Sequence, residues 1–154
     1  MWGRSPVPAQ DGFCFLSEIL PNLYGVPLEN EFYELINEYS KVYFIVNQET
    51  EDDYMDILAG KILKADCRDY VFYGAYAEKW NDLLEKKDSI LDPQQEKEPI
   101  ESCGWLELPN FANDILTGVR RNKEDHRNLY LVYDDEERYR EVKRILIKSC
   151  SGAA

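Results

Sequence analysis

Three stretches of the chain repeat one arrangement, an unbroken apolar run followed by apolar positions at helical spacing. In the clearest, Leu129 to Tyr133 is continuous, Asp134 and Asp135 interrupt it, and Tyr139, Val142, Ile145 and Leu146 then recur on one helical face. Another opens on Val42 to Val46 and continues with Tyr54, Met55, Ile57, Leu58 and Ile62, where Thr50 serves as N-cap with Asp53 three residues on. The third runs Tyr70 to Tyr73, then Tyr76, Trp80, Leu83 and Leu84. Strands with no polar interruption are those covered on both faces, as in a parallel sheet flanked by helices.

The remaining stretches carry weaker patterns. Phe13, Phe15, Leu16, Ile19 and Leu20 form a short patch ended by Pro21, readable as a strand or as one helical turn. Asn22 to Pro27 holds turn residues, and Leu28, Phe32, Leu35, Ile36 and Tyr39 then fall on one helical face with glutamates opposite. Trp105, Leu106 and Leu108 suggest a short edge strand over 104–108, followed by a helix on Phe111, Ile115, Leu116 and Val119, closed by Arg120 and Arg121. Asn122 to Asn128 reads as a polar connector. Residues 1–12 read as an irregular leader anchored by Trp2, 86–103 as a long loop and candidate lid, and 150–154 as a frayed tail. The expectation is a single three-layer α/β domain over 1–154, with a four- or five-stranded, mainly parallel sheet and helices on both faces. Strand order is left open by the pattern.

Charge narrows the partners. Thirty acidic residues against eighteen basic ones set a formal net charge of −12, which repels phosphate backbones and argues against a nucleic-acid reader. The one basic-leaning segment, Gly118 to Lys148, holds nine of those basic residues, whereas Glu29 to Asp56 carries nine acids and only Lys41. Cys14, Cys67, Cys103 and Cys150 form no CxxC pair, and His126 is the one histidine, so a zinc site is not expected. The first residues lack the basic start and apolar core of an export signal, and no run approaches membrane-spanning length, so reduced thiols and a cytoplasmic, membrane-free setting are expected.

Open α/β sheets bind ligands at their strand ends, so candidate chemistry belongs there. Asn47, Gly74, Asp134 and Asp135 sit there, and they define an alternative site for a small ligand or nucleotide. Neither GxGxxG nor GxxxxGK[ST] accompanies them. Asp134 and Asp135 have the ligand type for Mg²⁺, but their position after the last strand suits an N-cap and acidic first turn of a helix better. His126 lies far in sequence from every cysteine, and the aspartates around Cys67 offset its neighbouring arginine, so no nucleophile and base are paired. No catalytic residue, metal or cofactor is assigned, and the chain is not expected to be an enzyme.

Eleven tyrosines and three tryptophans are the remaining signal, since tyrosine provides large contact area at interfaces. Tyr54, Trp80 and Tyr139 open helical stripes and are expected in the core; Tyr76 is the surface candidate. Together with Glu49, Glu51, Asp52, Asp53 and Asp56 it defines an acidic, tyrosine-bearing face for a basic protein partner. The run MDILAGKILKADCRDYVFYGAYAEKWNDLL resembles an uncharacterised bacterial α/β domain family. In size, acidity and lack of a catalytic motif the whole chain is similar to the immunity proteins of bacterial toxin systems. That likeness implies a protein neutralising a cognate basic toxin domain. An acidic mimic of nucleic acid would draw on the same charge.

Overall fold

The computed structural model describes residues 16–97 and 100–152, so Trp2 and the leader, Phe13, Cys14 and Phe15 lie outside it. Its strands are β1 (Ser17–Leu20), β2 (Leu23–Pro27), β3 (Ser40–Ile45), β4 (Asp69–Tyr73), β5 (Glu101–Trp105) and β6 (Asn128–Tyr133). Its α-helices are α1 (Asp52–Lys64), α2 (Ala77–Leu91), α3 (Leu108–Asp125) and α4 (Glu136–Gly152). The strands form one sheet in the order β1-β2-β6-β3-β4-β5. All neighbours are parallel except β1 and β2. The fold is therefore α/β with a mainly parallel sheet, and it has six strands where four or five were expected.

The added strand is β2. Its sequence LYGVP reads as a turn because glycine and proline punctuate it, yet it pairs in register with β6 from Leu23↔Leu129 to Pro27↔Tyr133. Pro27 is tolerated because it closes the strand, and the ladder is continued by Leu28 N–H donating to Tyr133 O at 2.7 Å. Gly25 has a packing reason: a Cβ there would lie 2.7 Å from Tyr139 Cζ, so the missing side chain is the space that the α4 tyrosine fills. The ambiguous patch before it is a strand, β1, from Ser17 onward.

The expected helix over 28–39 is overturned. Only Phe32–Glu34 forms a 3₁₀ turn. The apolar spacing is nonetheless used, since Leu28, Phe32 and Ile36 are buried in the core, while Tyr39 is 65% exposed. This connector must carry the chain from the end of β2 across β6 to the start of β3. Local polar bonds compete with a helix at its close: Asn37 Oδ1 accepts from Tyr39 N–H at 2.8 Å, and Ser40 Oγ accepts from Asn37 N–H at 3.0 Å.

Alternate residues of the central strands enter two separate buried clusters. Val42, Phe44, Tyr70, Phe72, Tyr130 and Val132 pack with Met55, Leu58, Ile62, Trp80 and Leu84 of α1 and α2. Tyr43, Ile45, Val71, Leu129 and Leu131 pack with Phe111, Ile115, Tyr139, Val142 and Leu146 of α3 and α4. Trp80 and Tyr139 are core residues as expected, but Tyr54 and Ile57 are 46% and 57% exposed. The stripe of α1 is instead completed by Ala59 and Leu63, so it is rotated away from Tyr54. Thr50 does not cap this helix; Glu51 holds that position without a side-chain cap bond.

Several boundaries also move. α2 continues to Leu91 and β5 begins at Glu101, which shortens the expected 86–103 loop to 92–100, with 98 and 99 outside the described residues. Asp92 folds this loop on itself by accepting from Glu96 and Lys97 N–H at 2.9 and 3.0 Å. α3 extends through most of the expected polar connector and ends at His126, whose φ of 53° is left-handed. The buried Asn122 staples that end, bonding both the N–H and the C=O of Arg127. α4 runs on to Gly152 through most of the tail read as frayed.

Candidate functional site

β3 and β6 are neighbours whose chains leave the sheet in opposite directions, β3 into α1 and β6 into α4, whose core residues belong to different clusters. Such a switch opens a crevice at the carboxyl ends of the strands. Asn47, Gly74, Asp134 and Asp135 do meet there, and they close it. Asp134 accepts from Asn47 N–H at 2.8 Å and from Gln48 N–H at 3.0 Å. The Asn47 amide donates to Asp135 Oδ2 at 3.0 Å and accepts from Ala75 N–H at 2.8 Å. Gly74 lies against this lacing with φ 124°, a backbone region suited to glycine. Asp135 also accepts from Arg138 N–H at 3.1 Å, capping α4.

Burial pushes the Asp134 carboxyl above the usual range, more than the Asn47 and Gln48 amides pull it back. Asp135 behaves oppositely: burial raises it, but the bonds from Asn47 and Arg138 outweigh burial and hold it below the ordinary value. A depressed carboxyl contributes stability above its unfolded pKa, and this is lost as pH falls through the folded one. Asn47→Ala is therefore expected to cost about 1–2 kcal/mol at neutral pH. The deficit should shrink in acid, as pH falls through the depressed pKa of Asp135 and the carboxylate that accepts from the Asn47 amide is protonated. Urea denaturation of both proteins at neutral and acid pH checks this; a deficit that grows in acid would contradict the assignment.

Beside the closed crevice lies an open hollow of about 390 Å³, lined by Pro27, Leu28, Glu29, Tyr54, Tyr133, Asp134 and Glu136. Its residues come from the end of β2, the first turn of α1, the end of β6 and the start of α4. Tyr133 is held by stacking on Tyr139, with ring centroids 3.9 Å apart. Sequence pattern names none of Glu29, Tyr54, Tyr133 and Glu136 as a site residue. Tyr54 was assigned to the core, and the only available signal was the acid density from Glu29 to Asp56.

Two acids of the face expected from sequence are ion-paired. Asp52 pairs with Lys79 at 2.8 Å and Asp56 with Lys87 at 2.9 Å, so α2 lysines neutralise two of its acids. Glu49 and the half-buried Tyr76 lie in the field of the same Lys79, and Tyr76 packs against the core and stands at the N-cap of α2. Among the described residues, Glu51 and Asp53 have no ion-pair partner. They immediately precede Tyr54, which lines the hollow.

The other candidate groups are spread apart. Cys67, Cys103 and Cys150 are free thiols. Burial pushes the Cys67 thiol up to about 11, which disfavours the nucleophilic thiolate. No group of three or more His, Cys, Asp or Glu side chains that could hold a metal ion occurs among the described residues. Nor is any described helix long and apolar enough to cross a membrane. At the opposite ends of the strands Arg127 bonds Asp69 and Ser40 O, both at 2.8 Å, joining β3, β4 and β6. No family model, no curated protein and no solved structure matches the chain.

Proposed function

We propose that the chain is a protein-binding domain of the immunity-protein kind, which receives a basic side chain of a toxin domain in the hollow at its strand ends. The supporting observation is chemical: Glu29 and Glu136 converge with two tyrosine rings on one concavity, which Asp134 also lines. Carboxylates attract a guanidinium or ammonium group, and aromatic faces favour it further. The reading takes the fold as three layers, with α1 and α2 over one face and α3 and α4 over the other. On that reading the hollow sits at the rim where both helical layers meet the sheet. Unpaired Glu51 and Asp53 at the start of α1 widen the negative field and speed encounter with a basic surface.

The test is capture of the partner from the native host with the intact chain, followed by calorimetric titration against the wild type and a Glu29→Lys, Asp53→Lys, Glu136→Lys variant of unchanged melting point. Binding should weaken at least about thirtyfold in the variant and fall with added salt. Equal affinity, or indifference to salt, would sink the proposed face. A small-ligand reading draws on the same hollow, whose size lies within the usual range for ligand pockets. A thermal shift with amines, or with nucleotides and Mg²⁺, would favour it over a protein partner.

A further inference from the structure

The two edges of the sheet are built differently. β1 is a short antiparallel strand whose register shifts between Glu18 and Leu20, an irregularity that disfavours further pairing. β5 pairs with β4 without a break from Asp69↔Glu101 to Tyr73↔Trp105, and no described strand pairs with its outer side. Glu101 N–H donates to Arg68 O at 2.6 Å, so Glu101, Cys103 and Trp105 turn their backbone groups toward β4. By alternation, Ser102 and Gly104 turn theirs outward. Of the usual protections of an edge, the strand ESCGW lacks lysine, proline and a bulge, and its one charged side chain, Glu101, stands at its end.

We propose that this edge is an interface with a second copy of the chain, the two β5 strands pairing antiparallel about a two-fold axis at Cys103. The strand is self-complementary in that register. Ser102 stands opposite Gly104 of the second copy, and both have outward backbone groups to exchange. Glu101 faces a tryptophan, not another glutamate, so no like charges are opposed across the seam. Leu106, 93% exposed, comes opposite Ile100. Ile100 lies in the wall of a hollow of about 280 Å³ beside Ser89 and Pro93, at the end of α2. An unrelated strand would satisfy the backbone groups but not this set of side-chain pairs, which points to the chain itself.

Cys103, exposed at the centre of β5, reports the register. It would face its counterpart in a non-hydrogen-bonded pair, with Cα atoms about 4.5 Å apart, within reach of a disulfide. The net charge of −12 repels two copies at long range, so salt should strengthen this dimer, opposite to its effect on a basic partner.

Light scattering after size exclusion, over a concentration series at low and high salt under reducing conditions, is expected to show monomer passing to dimer, earlier at high salt. Copper phenanthroline as oxidant should cross-link the dimer through Cys103, identified by peptide mapping. Cys103→Ser should abolish the cross-link and leave the non-covalent dimer. Gly104→Pro removes an outward N–H, and Leu106→Lys removes an apolar contact; each should weaken dimerisation about tenfold or more. The exposed position of Leu106 keeps the second variant informative even if the proline disturbs folding. A monomer at every concentration, a dimer undiminished by Leu106→Lys, or cross-linking through Cys150 in place of Cys103 would overturn the proposal.

Discussion

Gly74→Ala is expected to destabilise the protein by about 2–5 kcal/mol, a large fraction of the stability of a domain this size. Two costs combine. The φ of 124° is a conformation that residues with a Cβ rarely adopt, and holding one there costs about 1–3 kcal/mol. The new methyl would also lie 2.6 Å from Val46 O and 2.5 Å from Asn47 Oδ1. Neither neighbour is free to retreat. Val46 O accepts from Tyr76 N–H at 2.9 Å, Val46 N–H donates to Tyr73 O at 2.8 Å, and Asn47 is tied to Ala75 and Asp135. The strain should therefore spread into the lacing that closes the crevice. Urea titration reads the loss as a lower midpoint at unchanged slope; a shift below about 0.5 kcal/mol would show that the backbone there is not constrained as described.

Phe44→Ala is the second large effect, expected at about 3–5 kcal/mol. Phe44 is 1% exposed on a central strand and is surrounded by rings. It stacks on Phe72 at 4.8 Å, meets Phe32 edge-on at 5.6 Å and lies 6.4 Å from Tyr70. Because Phe32 belongs to the connector between β2 and β3, the cavity would loosen the segment that presents Glu29 to the hollow as well as the sheet. A double-mutant cycle with Phe32→Leu should show coupling above about 0.5 kcal/mol. Additive losses would mean that the connector is held by something other than this aromatic contact.

The central strands were legible because burial on both faces leaves a sequence mark that no helix partner has to supply. Val42 and Tyr43, Tyr70 and Val71, and Leu131 and Val132 put apolar side chains on both sides of their strands, and β3, β4 and β6 lie within about two residues of the expected runs. Helices were legible in kind but not in rotation or length. Tyr54, Ile57 and Leu58 satisfy helical spacing together, yet only the position of the sheet decides that Leu58 faces it and Tyr54 does not. The 28–39 stretch shows the limit most plainly: Leu28, Phe32 and Ile36 have helical spacing and are buried, but the chain between them follows the path a crossover over β6 requires. β2 escaped notice because a strand of five residues with glycine and proline reads as a turn until β6 is placed beside it.

The strand-end residues were legible as a set, and so was the part of Asp135 at the start of α4, where it accepts from Arg138 N–H. Sequence pattern puts Asn47, Gly74, Asp134 and Asp135 after three strands, and parallel pairing brings three such ends together. Whether polar groups so gathered face a ligand or one another depends on distances of a few ångströms. Here Asp134 and Asn47 satisfy each other, while the open hollow next to them is walled by Glu29, at the start of the acid-dense stretch, and by Tyr54, which the pattern assigns to the core.

What the sequence determined by itself was composition, net charge and the alternation of apolar strands with amphipathic helices, because these are set by local periodicity and by solvation of each residue type. Tertiary structure alone decided the sixth strand, the order β1-β2-β6-β3-β4-β5, the pairing of Asp52 and Asp56 with α2 lysines, and the closing of the crevice. Each of those depends on contacts between residues distant along the chain, and a hydrogen bond or an ion pair exists only once folding has brought both of its partners together.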